Sequence, residues 1–311
     1  MATVYTEIPL NFHEIADDVI TDTKEISAGI FRSRTCCFYD ACSFRRHAKL
    51  EKEAADFLFE YVKRQEGLFM IRRCILMELA SHSGVLNEQY IQYIKIIRRA
   101  GNNILLMYEE DLFTVMDVCF GANAVINRYL SWAVRMIKNP VSTITDTWNQ
   151  NGKLREEIIR GKNAESREIY RRFFSAVRNH KESGDNLGEE LLSVCLHILS
   201  HIPGEEDGKF CIFTDDKGAA GKIAALFQRT ARQFRGKRIV IFSTPRLVQV
   251  MYHEGILTDK ESVKMILSTG SHEKIKVLGT RLYDLWSREM TIDCGELTDL
   301  IVQPNGINIT F

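Results

Sequence analysis

Cys36–Asp40 (CCFYD) and Cys211–Asp216 (CIFTDD) are the two stretches whose reading decides the fold. In each, an apolar, β-prone run ends abruptly in aspartate, and a helix-compatible stretch follows. Strands buried on both faces read as unbroken apolar runs, and strands that alternate with helices build a parallel sheet. The carboxyl ends of such strands line the ligand crevice, so aspartates placed there converge although they lie far apart in the chain. Converging carboxylates raise one another's pKa unless a cation neutralises them. Mg2+ or Mn2+ is therefore the expected cofactor, and phosphodiester hydrolysis is the common use of such a site.

Working outward from these strands, the pattern predicts strand one over Thr35–Tyr39 and a helix over Glu51–Glu66. Phe57, Leu58, Tyr61 and Val62 form that helix's apolar stripe, and Gly67 is placed to end it. Arg73–Ala80 and Glu88–Ala100 read as helices, and Ile104–Tyr108 (ILLMY) as a buried strand. Leu112–Ile137 reads as one long helix containing Gly121, Asn139–Lys153 as a loop, and Ser166–Arg178 and Leu187–Ser200 as helices. Lys209–Thr214 and Arg238–Ser243 are predicted strands on either side of a helix over Lys217–Gln233. Ser243-Thr244-Pro245 supplies a cap and an early proline for a helix over Pro245–His253. Thr291–Phe311 carries short β-prone runs around Pro304-Asn305-Gly306, a hairpin signal.

The 311 residues are 45% hydrophobic and 26% charged with zero formal net charge, an ordinary globular composition. Neutrality argues against a basic nucleic-acid coat, though not against a local basic groove. There is no apolar run long enough to span a bilayer and no signal-peptide layout at the N-terminus. The eight cysteines form no C-x-x-C pair, which suits a reducing cytoplasm and disfavours a zinc ribbon. Neither G-x-x-x-x-G-K-[ST], G-x-G-x-x-G nor G-x-S-x-G is present, so a P-loop ATPase, a dinucleotide enzyme and a serine hydrolase have little support.

Cys36–Ser43 (CCFYDACS), Ile75–Leu79 (ILMEL), Leu187–Cys195 (LGEELLSVC) and Ile212–Gly218 (IFTDDKG) follow one another in an order that resembles PIN-domain nucleases. Ile239–Leu247 (IVIFSTPRL) resembles that family's closing strand and S-T-P-x-L helix start. The resemblance covers roughly residues 33–110 and 184–255. It implies a PIN-like parallel sheet flanked by helices over 33–255, preceded by a lead-in over 1–32. A helical insertion at about 111–183 and a small β-containing C-terminal extension over 256–311 depart from the compact family pattern.

By position, the resemblance implies metal-binding acids at Asp40, Glu78, one of Glu189 and Glu190, and Asp216. Asp185 is a further candidate for the third acid, and Asp215 fills the variable place of T-x-D. Thr214 would orient a carboxylate or the attacking water. Each acid also has a plainer reading: a helix N-cap for Asp40, a solvated helix residue for Glu78, dipole complements for Glu189 and Glu190, and a turn or cap for Asp215-Asp216.

The implied activity is metal-dependent cleavage of RNA, with DNA as a variant. A free-standing nuclease would be toxic to its host, which suggests a toxin or defence effector restrained by a protein partner; a homo-oligomer is left open. The competing expectation is a PIN-like binding module with too few carboxylates to cleave. A haloacid-dehalogenase-like phosphatase would want D-x-D, whereas Asp40 is followed by Ala41-Cys42. Arg45, Arg46, His47 and Lys49, together with Arg229, Arg232, Arg235, Lys237 and Arg238, are candidate phosphate holders, and Tyr39, Phe44 and Trp148 candidate base-stacking rings. His197 and His201 have a helical metal spacing, but their Ile and Leu neighbours favour packing.

Overall fold

The computed structural model describes residues 5–137, 142–160, 166–182, 185–204, 207–230, 236–270, 274–282 and 284–311. In chain order the elements begin with α1 (Thr23–Arg32), β1 (Thr35–Tyr39), α2 (Ala41–His47), α3 (Lys52–Arg64) and β2 (Gly67–Arg72). Next come α4 (Arg73–Leu79), α5 (Glu88–Arg99), β3 (Ile104–Met107), α6 (Asp111–Phe120) and α7 (Asn123–Met136). Helices α8 (Thr143–Gln150), α9 (Gly152–Arg160), α10 (Ser166–Arg178) and α11 (Leu187–Leu199) lead to β4 (Lys209–Phe213) and α12 (Lys217–Thr230). The chain closes with β5 (Arg238–Phe242), α13 (Thr244–His253), α14 (Lys260–Ser268), β6 (Lys274–Arg281), β7 (Arg288–Asp293), α15 (Cys294–Val302) and β8 (Ile307–Ile309).

Five parallel strands form the main sheet in the order β3-β2-β1-β4-β5. The chain walks from β1 out to β3, then crosses to the other side of β1 with β4. The reversal falls between β1 and β4, whose carboxyl ends flank the crevice where α/β sheets bind ligands. Every residue of β1 is buried. Cys37 and Tyr39 enter one core and Cys36 and Phe38 the other, as strand alternation requires.

The two cores explain the long chain. On one face α3, α5, α13, α14 and α15 pack with the small sheet β7-β6-β8, so the C-terminal residues continue the same core. On the other, α1 and α6–α12 cover the strands, with Leu112, Leu130, Phe173, Phe174 and Leu191 among their buried residues. The helical segment that departs from the compact pattern is thus one wall of the α/β sandwich. Ile20 pairs with the edge strand β3, its N–H reaching Ile104 O at 2.8 Å while its carbonyl accepts from Leu106 N at 2.9 Å. This closes an edge that would otherwise expose backbone groups. No helix among the described residues is long and apolar enough to cross a membrane.

Four expectations need correction. The predicted long helix is two, because Gly121 takes φ 57 and ends α6 before α7 begins. The predicted loop over Asn139–Lys153 contains α8 and the start of α9; residues 138–141 lie outside the described residues. Ser142 caps α8 by accepting from Thr145 N, and burial of Ile144 and Trp148 outweighs the polar composition. Pro304-Asn305-Gly306 joins α15 to β8 and is not a hairpin turn; β8 pairs with β6. Glu66, at φ 48, turns the chain after α3, and Gly67 already belongs to β2.

A buried charge network fastens the helical wall to the sheet. Arg178 on α10 donates to Glu7 Oε1 at 2.9 Å, Glu109 Oε2 at 2.7 Å and Glu110 Oε2 at 3.1 Å. Arg73 joins Glu7 at 2.9 Å and Glu110 at 3.5 Å while lying over the Tyr108 ring. Removing one partner from a buried ion pair strands the other's charge. Arg178→Met is expected to destabilise by about 3–5 kcal/mol. Arg160→Ala, at the exposed i,i+4 pair with Glu156, should cost under about 1 kcal/mol. Urea midpoints compare them, and equal shifts would deny the network its role.

Candidate metal and catalytic site

The tie between β1 and β4 does not stop at the last strand residues. Asp40 N donates to Phe213 O at 3.0 Å, so the ladder carries Asp40 to the level of Thr214. Asp40 caps α2, with Oδ1 accepting from Ala41 N at 2.8 Å. Its Oδ2 accepts from Thr214 Oγ1 at 2.9 Å and from Cys42 Sγ at 3.0 Å. Thr214 Oγ1 also accepts from Asp216 N at 3.1 Å, so one hydroxyl holds both aspartate segments. Asp216 is exposed and caps α12, with Oδ1 accepting from Gly218 N at 2.7 Å and Ala219 N at 3.1 Å. Capping and crevice placement thus coincide: the N-cap reading of each aspartate is true and does not remove it from the site.

Glu78 on α4 and Glu189 on α11 face the same region. Burial raises the Glu78 carboxyl above its ordinary value; Lys181 opposes the rise and the charge of Asp40 adds to it. Burial likewise raises Glu189; Lys222 opposes, and Asp216 and Asp40 add. The four acids therefore share one electrostatic neighbourhood. α11 begins so close to α4 that a Cβ at Gly188 would sit 2.5 Å from Glu78 Oε1, so a side chain there would have to displace the Glu78 carboxylate.

Asp40 and Asp216 make no ion pair among the described residues, whereas both glutamates do. Lys181 Nζ lies 3.1 Å from Glu78 Oε1, and Lys222 Nζ lies 2.8 Å from Glu189 Oε2. Among the described residues no group of three or more His, Cys, Asp or Glu side chains forms a ready-made metal cage. Mg2+ does not require one, since it keeps several waters and rests on one or two carboxylates. The donor set is all oxygen, and two of its carboxylates lack a cation, so the residues fit a hard divalent ion.

The remaining candidates fall elsewhere. Glu190 is buried and accepts from Ile144 N at 3.3 Å, facing α8 and not the crevice; neighbouring helical positions cannot both face it. Asp185 caps the start of α11 through Leu187 N and also bonds Lys181. Asp215 binds Thr244, accepting from its N–H and its hydroxyl at 2.7 Å each, and accepts from Ser43 at 3.2 Å. Tyr39, Phe44 and Trp148 are buried core rings. Lys237 is buried and donates to Ile30 O at 2.7 Å and to Ser33 O. Arg232 and Arg235 lie outside the described residues. Arg46 is tied to Leu267 O and Thr269 O, while exposed Arg45 donates to Glu78 O at 2.8 Å beside the acids. His197 and His201 pack with Trp132, their rings 5.0 and 4.9 Å from it.

Sequence reasoning missed one residue, Lys181, and one grouping, in which His47 and Tyr39, expected as a phosphate holder and a base-stacking ring, are both buried. Lys181 bears on the site directly. The other is a buried relay: Tyr93 and Tyr39 hydroxyls lie 2.7 Å apart, Tyr39 reaches His47 Nδ1 at 2.9 Å, and His47 Nε2 reaches Thr244 Oγ1 at 3.0 Å. Because Thr244 gives its proton to Asp215, it accepts from His47, which places a ring proton on Nε2. Neither His47 nor Lys181 sits in a motif that marks it.

No family model, curated protein or solved structure matches the chain.

Burial lowers the His47 pKa to about 4, with Asp215 opposing and Arg46 assisting. The folded state then binds fewer protons than the unfolded chain between pH 4 and 6.5, so stability present above pH 6.5 is lost as the pH falls towards 4. About 3 kcal/mol should disappear across that window. His47→Gln should flatten the fall, read as urea midpoints at several pH values. His197, lowered by burial to about 3, leaves a residual slope of the same sign. An unchanged slope in His47→Gln would show that His47 is not the titrating group.

Proposed function

We propose that the chain is a metal-dependent endoribonuclease, with Asp40 and Asp216 holding Mg2+ or Mn2+ in the crevice between β1 and β4. The observation that carries this reading is the single Thr214 hydroxyl that ties Asp40 to the Asp216 backbone, beside two glutamates whose carboxyls feel the charge of these aspartates. The order of the acidic motifs, which resembles PIN-domain nucleases, supports RNA as the substrate.

A bound divalent ion would polarise the scissile phosphate and make water a better nucleophile. The residues of the chain have separable tasks in that chemistry. Thr214 spends its proton on Asp40 Oδ2 and so fixes the carboxylate's orientation. Asp216 uses Oδ1 to cap α12, which pins the carboxylate at the rim. Glu189, with its raised carboxyl, is suited to take the proton of the attacking water as the water oxygen bonds to phosphorus and the ester bond to the leaving oxygen breaks. Arg45, exposed beside Glu78, is placed to meet a phosphate oxygen.

A second reading, a nucleic-acid- or protein-binding module without cleavage, is favoured by the two glutamates' own lysines, since charge already balanced needs no metal. Labelled single-stranded RNA, tRNA and single-stranded DNA incubated with Mn2+, Mg2+ or EDTA separate the readings. Cleavage of RNA is expected with either ion, none with EDTA, and a fall of at least about 100-fold in Asp40→Asn and Asp216→Asn. Binding of RNA without cleavage under every condition favours the module. Cleavage confined to DNA keeps the metal site and changes the substrate.

A further inference from the structure

Lys181 reaches the crevice from the end of the helical wall, three residues beyond Arg178 and its buried network. Its ammonium lies 3.1 Å from Glu78 Oε1 and also bonds Asp185, and the Tyr5 ring lies 5.4 Å away. The Lys181 side chain is 4% exposed, against 37% for Lys222 at Glu189. That difference decides how the two pairs behave. An open pair such as Lys222–Glu189 is worth little and exchanges with other cations. A buried pair is costly to break, because it leaves a charge without a partner.

Two other groups bear on Glu78. Gly188 brings the start of α11 against it, where an added Cβ would lie 2.5 Å from Oε1. Arg72, fully buried at the end of β2, adds a second positive charge that favours the ionised carboxyl. Lys181 and Arg72 thus balance this acid from within the protein, whereas Asp40 and Asp216 make no ion pair among the described residues.

We propose that Lys181 is the chain's own cation at Glu78, taking the place a second divalent ion would occupy, so that the crevice accepts a single ion at Asp40 and Asp216. This rests on the metal-dependent reading above. Lys181 acts through Glu78 and is a positioning residue: its ammonium occupies the carboxylate at 3.1 Å and withholds it from the metal. The helical wall thereby sets the metal stoichiometry of a site built on the sheet.

Mn2+ bound per chain, counted by isothermal titration and by loss of the free-ion electron paramagnetic resonance signal at pH 8, tests the proposal. Wild type and Lys181→Arg are expected to bind a single ion, and Asp40→Asn none. Lys181→Met should take up a second ion, and Lys181→Met with Glu78→Gln should return to one. A merely structural lysine would not move this count. Two ions on wild type, or the same count and affinity in Lys181→Met, overturns the inference while leaving the metal reading intact. No Mn2+ on any variant removes the metal reading itself. Should Lys181→Met fail to fold, Glu78→Gln carries the test: affinity held within about threefold of wild type supports the proposal, and a loss of about tenfold or more contradicts it.

Discussion

Parallel pairing of β1 with β4, from Thr35↔Lys209 to Tyr39↔Phe213, is the constraint on which the candidate site depends. The register brings Asp40 level with Thr214, two residues before Asp216, and the Asp40 N–H to Phe213 O bond extends the ladder beyond the strands. Thr214 then couples the two segments through one hydroxyl. Slipping the register by one residue would turn Cys37 and Tyr39 into the wrong core and part the acids together with it. Because β1 is buried on both faces, the cores on its two sides resist such a slip.

Those cores link the helical wall to the chemistry. The segment from α6 to α11 covers one sheet face, fastened by Arg178 to Glu7, Glu109 and Glu110. The turn that follows Arg178 delivers Lys181 to Glu78, and α11 delivers Glu189 and the close approach of Gly188. Charge compensation divides the four acids into two kinds. Glu78 and Glu189 have lysines, the first buried and the second open; Asp40 and Asp216 rely on neutral donors. A divalent ion would gain most where no ammonium competes, which on the proposed reading would direct it to the aspartates.

Four of the five main strands were legible because strands buried on both faces read as short apolar runs; β2 was not among them. The aspartates after β1 and β4 stood out as charges that end apolar runs, although each also serves as a helix cap. Local composition failed where long-range packing decided the outcome. α8 is held by Ile144 and Trp148 in the core despite its polar, turn-rich sequence. β8 finds its partner in β6 about thirty residues earlier, a pairing the Pro304–Gly306 turn cannot announce. Gly121 looked tolerable inside a long apolar run, yet its left-handed backbone ends α6. At the site, the choice between Glu189 and Glu190 needed the helix phase, and a lone lysine after α10 carries no sequence signal at all. Its role follows only from the 3.1 Å approach to Glu78.

The most direct test of the account is anomalous scattering from crystals of the full chain grown with Mn2+. One peak between the Asp40 and Asp216 carboxylates, with Lys181 still on Glu78, is the predicted result. A peak on Glu78 with Lys181 displaced, or no peak in the crevice at Mn2+ concentrations that saturate binding in solution, would contradict it.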